Sequence, residues 1–317
     1  MITFTWIVIL GRGSLVAPAC RGILLALSVV LSSCGDDGSA GISPTPSPLP
    51  SPSPGPASSL QLIFADEFNS ASLDRGKWNV EGPDFWVNNE VQAYVDSVGT
   101  ISFATPQGAD GGALVLKPVY RPGFVTPTGR TTDFVSGRIN TSGKVDFTFG
   151  RAEARIRMPN ATGAWPAFWL LGYGNWPDCG EIDIMEYVGE KAWTSSAIHG
   201  PGYSGNTPLA RRQYFPAGAD VTGWHVYAVE RTPDTIIFSV DSREIYRVTR
   251  AMVESHGPWR FDRRQYLILN FALGGNYPNG VNGVTTPYFG MPQSTADSIA
   301  RGEVAMEVDW VRVWEAR

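Results

Sequence analysis

Residues Gly180 to Gly189 read GEIDIMEYVG and set three carboxylates, Glu181, Asp183 and Glu186, into an otherwise apolar run. On a helix these positions would fall at about 0°, 200° and 140° and would not align on one face. β-branched Ile182 and Ile184 favour a strand instead. On a regular strand Glu181 and Asp183 share a face while Glu186 points the other way, and an unpaired glutamate driven into a core is costly. A β-bulge near Ile184 and Met185 removes the conflict, because one extra residue shifts the register and brings all three acids to one face. Bulges of this kind tend to sit beside active sites.

The surrounding sequence supports a strand-rich body. ALVLKPVY, GRAEARIRMP, HVYAVERTPDTIIFSVDS, QYLILNFALGG and VAMEVDWVRVWEA are β-type segments separated by turn signals. In GRAEARIRMP the charged residues Arg151, Glu153, Arg155 and Arg157 alternate with Ala152, Ala154 and Ile156, so one face of that strand is polar. TIIFSVDSREIYRV reads as a hairpin turning at Asp241 and Ser242. The 35 glycines and 24 prolines are poorly tolerated in helices, which excludes a helical bundle. The architecture these features predict is an all-β sandwich of two antiparallel sheets, a jelly roll with long connecting loops.

Ahead of this body, Arg21 precedes the apolar run GILLALSVVL, which has the length of a signal peptide and is too short to span a bilayer. It ends in LSSC, Leu31 to Cys34, which resembles a bacterial lipobox and marks Cys34 for lipidation; an ordinary secretory signal that contains a cysteine is the alternative. Ser43 to Pro56, SPTPSPLPSPSPGP, carries proline at every second position and reads as an extended spacer. The predicted organisation is a lipoprotein-type signal peptide over 1–34, a Pro/Ser-rich linker over 35–59 and a single domain over 60–317. Cell-envelope attachment through the lipid, or secretion, follows from that reading.

With 25 basic against 30 acidic side chains the net charge is −5, and no basic field exists to hold a nucleic acid. Cys20 and Cys34 fall in the leader, which leaves Cys179 alone in the domain, so neither a disulfide framework nor a cysteine zinc site is available. No histidine pair has ligand spacing, and a catalytic metal is not expected. The expected molecule is a monomer that meets a membrane only through its lipid.

GEIDIMEY resembles the bulged Glu-x-Asp-x-x-Glu signature of glycoside hydrolase family 16, laminarinase type. GAWPAFWLLG, NWPDCG, AIHGPGYSG, NNEVQAYV, LILNFALGGNYPNG and VDWVRVW match its surroundings in the family's order, from about Phe64 to Trp314. The resemblance implies a curved, concanavalin A-like jelly roll with a carbohydrate cleft on its concave face. It also implies that Glu181 is the nucleophile, Glu186 the general acid and base, and Asp183 the residue that orients the nucleophile and tunes its protonation. Two nearby carboxylates with separated proton affinities would supply both an acid and an anion at one pH. The backbone span from Glu181 to Glu186 is roughly 13 Å less the bulge's shortening. Inward-leaning side chains are compatible with the roughly 5.5 Å carboxyl separation of retaining glycosidases.

The same resemblance carries cleft roles to Trp165, Trp169 and Trp176, with Trp165 and Trp169 on one face only if no bend intervenes between them. It places His199 close to the acid/base glutamate, and Asn88, Glu90 and Arg138 where they would contact sugar hydroxyls. Trp193 stays open between cleft and core. No cofactor is expected for catalysis; a structural calcium on the convex face would take Asp309 and Glu67. Two departures, Arg231 in ERTPD and the pair Asp309-Trp310, read as packing changes away from the catalytic strand. The bulged motif, HGPGYSG and WPAFWLLG point to a retaining endo-β-1,3-glucanase of laminarin-like polysaccharide. Mixed-linkage glucan, a galactan such as agarose, and a non-catalytic glucan-binding protein are the alternatives.

Overall fold

The computed structural model describes residues 59–317; the apolar leader, Cys34 and most of the proline-rich spacer lie outside the described residues. The chain forms two eight-stranded sheets and a smaller three-stranded one. In the first large sheet the order is Arg243–Thr249, Thr235–Val240, His225–Arg231, Gly150–Arg157, Met306–Ala316, Ala113–Leu116 and Ile101–Ala104, with Leu60–Asp66 also on Met306–Ala316. In the second it is Leu209–Tyr214, Trp193–His199, Glu181–Glu186, Ala164–Gly172, Gln265–Leu273, Arg138–Asn140 and Asn79–Val80, with Asp146–Phe147 also on Gln265–Leu273. Every pairing within these two sheets is antiparallel. The three described helices are short, the longest being Gln293–Ala300. The all-β sandwich predicted from the sequence is the fold found.

Alternation decides how the sheets pack. Ala152, Ala154 and Ile156 are buried at 0% exposure and meet Leu170, Ile182 and Leu269 of the other sheet in one apolar core. The intervening charged residues form pairs on the first sheet's outer face: Arg151 with Glu153, Arg155 with Asp309, Arg157 with Glu307, and Arg312 with Glu67. The hairpin turns where expected, with Asp241 and Ser242 at φ 50° and 65°, the left-handed pair that a two-residue type I′ turn requires.

Arg231 is more than a packing variation. It is fully buried, and its guanidinium donates to the backbone carbonyls of Phe147, Phe261 and Arg263 at 3.2, 2.9 and 2.9 Å. Those carbonyls belong to separate segments, so one side chain ties a strand to the loop before Gln265–Leu273. Burial lowers its proton affinity, to a pKa of about 9. Replacing Arg231 with Leu should leave three carbonyls without this donor and lower stability by about 2–4 kcal/mol, measured by denaturant unfolding. A loss below about 0.5 kcal/mol would contradict that role.

Candidate active site

The catalytic-strand candidate, Glu181–Glu186, carries one residue more than its neighbours can match. Against Trp193–His199, Asp183 faces Ala197 and Glu186 faces Ser195, three steps against two. Against Ala164–Gly172, Phe168 faces Met185 while Trp169 faces Asp183, which leaves Ile184 as the extra residue. Ile184 and Met185 are both buried in the core, and Glu181, Asp183 and Glu186 emerge together on the opposite face. The Ser196 hydroxyl donates to the Ile184 carbonyl at 2.8 Å and holds the bulge from the next strand. Ser196 has no signal in its own segment; only the register reveals it.

The three acids stand in a groove of about 800 Å³ on the outer face of the second sheet, a size typical of ligand sites. Trp165, Trp169 and Trp176 all line it. Trp165 and Trp169 share a face because Ala164–Gly172 runs in unbroken register with Gln265–Leu273. Trp176 donates its indole N–H to Glu181 Oε2 at 3.1 Å, and Trp165 donates to Glu186 Oε1 at 3.0 Å. Each tryptophan therefore fixes one carboxylate oxygen and leaves the other available. Trp169 donates to Asn270 Oδ1 at 2.7 Å. Trp193 is 5% exposed and does not reach the groove directly, because the Arg212 guanidinium lies over its ring.

His199 also lines the groove and acts electrostatically on both Glu181 and Glu186. The register sets His199 opposite Glu181, and its Nε2 lies 3.7 Å from Glu181 Oε1 and 3.2 Å from Asp183 Oδ2. The Asp183 contact lacks hydrogen-bond alignment, so Asp183 Oδ2 remains a buried acceptor without a partner. Asn88, Glu90 and Arg138 reach the groove as well. Glu90 Oε2 is already occupied by Gln92 Nε2 at 2.7 Å and the Tyr94 hydroxyl at 3.3 Å. The Arg138 guanidinium is clamped between Phe85 and Trp169, at 4.1 and 4.9 Å from the ring centres, with Glu81 3.8 Å from its Nε.

Several groove residues escaped sequence reasoning: Asn270, Ser195 and Tyr277, the last two joined at 3.0 Å through their hydroxyls. Asn270 and Tyr277 sit within LILNFALGGNYPNG, a segment legible as structure but not as site. The expected calcium ligands are both engaged by arginines. Asp309 receives Arg155 on one oxygen and the Asp110 N–H on the other, and Glu67 is held on both oxygens by Arg312 at 2.9 Å. Each carboxylate is thus paired with an arginine on the first sheet's outer face.

Burial chiefly, and repulsion from Asp183 next, push the Glu181 and Glu186 carboxyls up to about 8, and burial does the same to Asp183. Acids this close cannot all be ionised at neutral pH. Glu181 nonetheless keeps 16% of its side chain open to the groove, enough for a ligand to touch it.

The sequence profile of the glycosyl hydrolases family 16 matches residues 125–271. A β-glucanase of Rhodothermus marinus is 33% identical over 267 residues, covering 80% of this chain and 85% of that protein. The chain belongs to glycoside hydrolase family 16. Within that family the glucan endo-1,3-β-glucosidase A1 of Niallia circulans is 32% identical over 81% of this chain, which spans 38% of that longer protein. The endo-β-1,3-glucanase of Pyrococcus furiosus superimposes with a TM-score of 0.70 at 32% identity, over 82% of this chain and 96% of that one.

Two outcomes check this site. Ser196→Ala should keep the fold but loosen the bulge and lower kcat/KM by about tenfold, since misplaced reacting groups cost rate steeply; an unchanged rate would remove Ser196 from the site. Between about 4.5, an ordinary glutamate value, and about 8, the native state binds more protons than the unfolded chain, so stability should fall as pH rises through that window. Asp183→Asn should flatten that slope and raise Tm at pH 8 by a few degrees. A slope identical to that of the parent protein would contradict the buried-carboxylate assignment.

Proposed function

We propose that this family 16 protein is a retaining endo-hydrolase of β-1,3-glucan, with Glu181 as nucleophile and Glu186 as general acid and base. The single observation that carries the reading is the bulge, which puts two glutamates on one strand face with a third acid between them. The glucanases of R. marinus, N. circulans and P. furiosus support the substrate class.

The geometry suits a double displacement. The protonated Glu186 carboxyl donates its proton to the glycosidic oxygen as the bond to the anomeric carbon breaks, and the Glu181 carboxylate attacks that carbon. The resulting glycosyl ester is opened by a water whose proton passes to Glu186. Trp176 bonds Glu181 and Trp165 bonds Glu186, His199 favours the anionic form of both, and burial and Asp183 favour a proton on both, so the pair suits a state with one carboxyl protonated and the other ionised. Asp183, between them, raises the proton affinity of both glutamates and orients the nucleophile. The indole faces of Trp165 and Trp169 offer flat apolar surface to sugar rings.

Reducing-sugar release should be greatest on laminarin, against lichenan, agarose and carrageenan in parallel. Glu186→Gln should lower laminarin hydrolysis by at least about 100-fold yet largely spare kcat/KM on substrates with activated aryl leaving groups, whose departure needs no proton, while kcat falls because the ester is opened without a base; Glu181→Gln should abolish both. The parent rate should decline as pH rises through about 8, where Glu186 loses its proton. Release from agarose alone would overturn the substrate, and a fully active Glu186→Gln variant would overturn the acid/base role.

A further inference from the structure

We propose that the groove beyond Ser195 is a receptor for a carboxylate carried by the glycan, with Arg212 as the group that binds it. The inference rests on the β-glucanase reading of the same groove and deepens its specificity.

Placement comes from the register. Glu186 faces Ser195, and Ser195 faces Arg212 on the edge strand Leu209–Tyr214, so Arg212 lies two strand spacings, about 10 Å, from the acid/base position. That distance is about two sugar rings or fewer from the reacting bond, on the wall shared with Tyr277 and Asn206.

Charge and geometry then point to the ligand. The guanidinium carbon of Arg212 sits 4.2 Å from the centre of the Trp193 ring. Stacking holds the planar fork by its face, and one side of it stands against the Tyr277 hydroxyl; a guanidinium carries five N–H donors, so others remain to grip a carboxylate through two parallel hydrogen bonds. Arg155, Arg157 and Arg312 on the opposite sheet are each matched to a carboxylate, and Arg138 in the same groove has Glu81 beside it. Arg212 forms no ion pair among the described residues, and neither does its neighbour Arg211, which lines the same groove; Arg212 is the one stacked on an aromatic ring. Ser195, Tyr277 and Asn206 line the same groove and offer neutral polar groups to sugar hydroxyls. A positive charge without a carboxylate partner at the groove's edge favours an anionic sugar residue, such as a uronate or an acid-substituted glucose.

The test compares kcat/KM on carboxymethylated curdlan and on laminarin for the purified protein, Arg212→Lys and Arg212→Gln, each at low and high salt. The carboxymethyl-to-neutral ratio should fall by about fivefold or more in Arg212→Gln, mainly through KM, and by less in Arg212→Lys, which keeps charge but loses the fork. In the parent protein the ratio should fall as salt rises, because screening weakens an exposed charge contact. A ratio that ignores both the substitution and the salt, with laminarin still cut, would overturn the carboxylate site alone. Failure of the parent protein to cut either polymer would overturn the β-glucanase reading beneath it.

Discussion

One surplus residue in one strand governs this molecule's chemistry. Without it, the two-residue period would turn Glu186 toward Leu170 and Ile182 in the core; with it, Ile184 and Met185 both go inward and Glu186 rejoins Glu181 and Asp183 in the groove. The rest of the sandwich makes that irregularity sustainable. Ala164–Gly172 and Gln265–Leu273 lie beside it in unbroken register, and Ser196 takes up the Ile184 carbonyl from the other side.

Burial does two jobs at the same place. The apolar core beneath the strand and the tryptophans around it withdraw the carboxylates from water, which favours their protonated forms and costs stability at neutral pH. That same withdrawal keeps a proton on an acid that would otherwise be ionised, as proton donation to a poor leaving group requires. The indoles of Trp165 and Trp176 then separate the two glutamates in orientation, each holding one oxygen and freeing the other.

Much of this was legible before any coordinates, and what was missed has a physical reason. The spacing of Glu181, Asp183 and Glu186 demanded a bulge because strand period and burial cost left no other arrangement, and the strict alternation of Arg151 to Arg157 announced a polar outer face. Ser196, Asn270, Tyr277 and Arg212 were silent because their positions depend on pairing between strands far apart in sequence. Long-range pairing also sets the partners of Asp309 and Glu67: the arginines beside them come from other strands, and nothing next to either acid in sequence reveals them.

The most direct measurement of the central claim is peptide mapping after treatment with a fluorinated glucoside inactivator, which traps the glycosyl ester before water can open it. The account predicts a single sugar adduct on the Glu181 side chain, formed only by protein with activity. An adduct on Asp183 or Glu186, or turnover through direct water attack with no adduct at all, would contradict it.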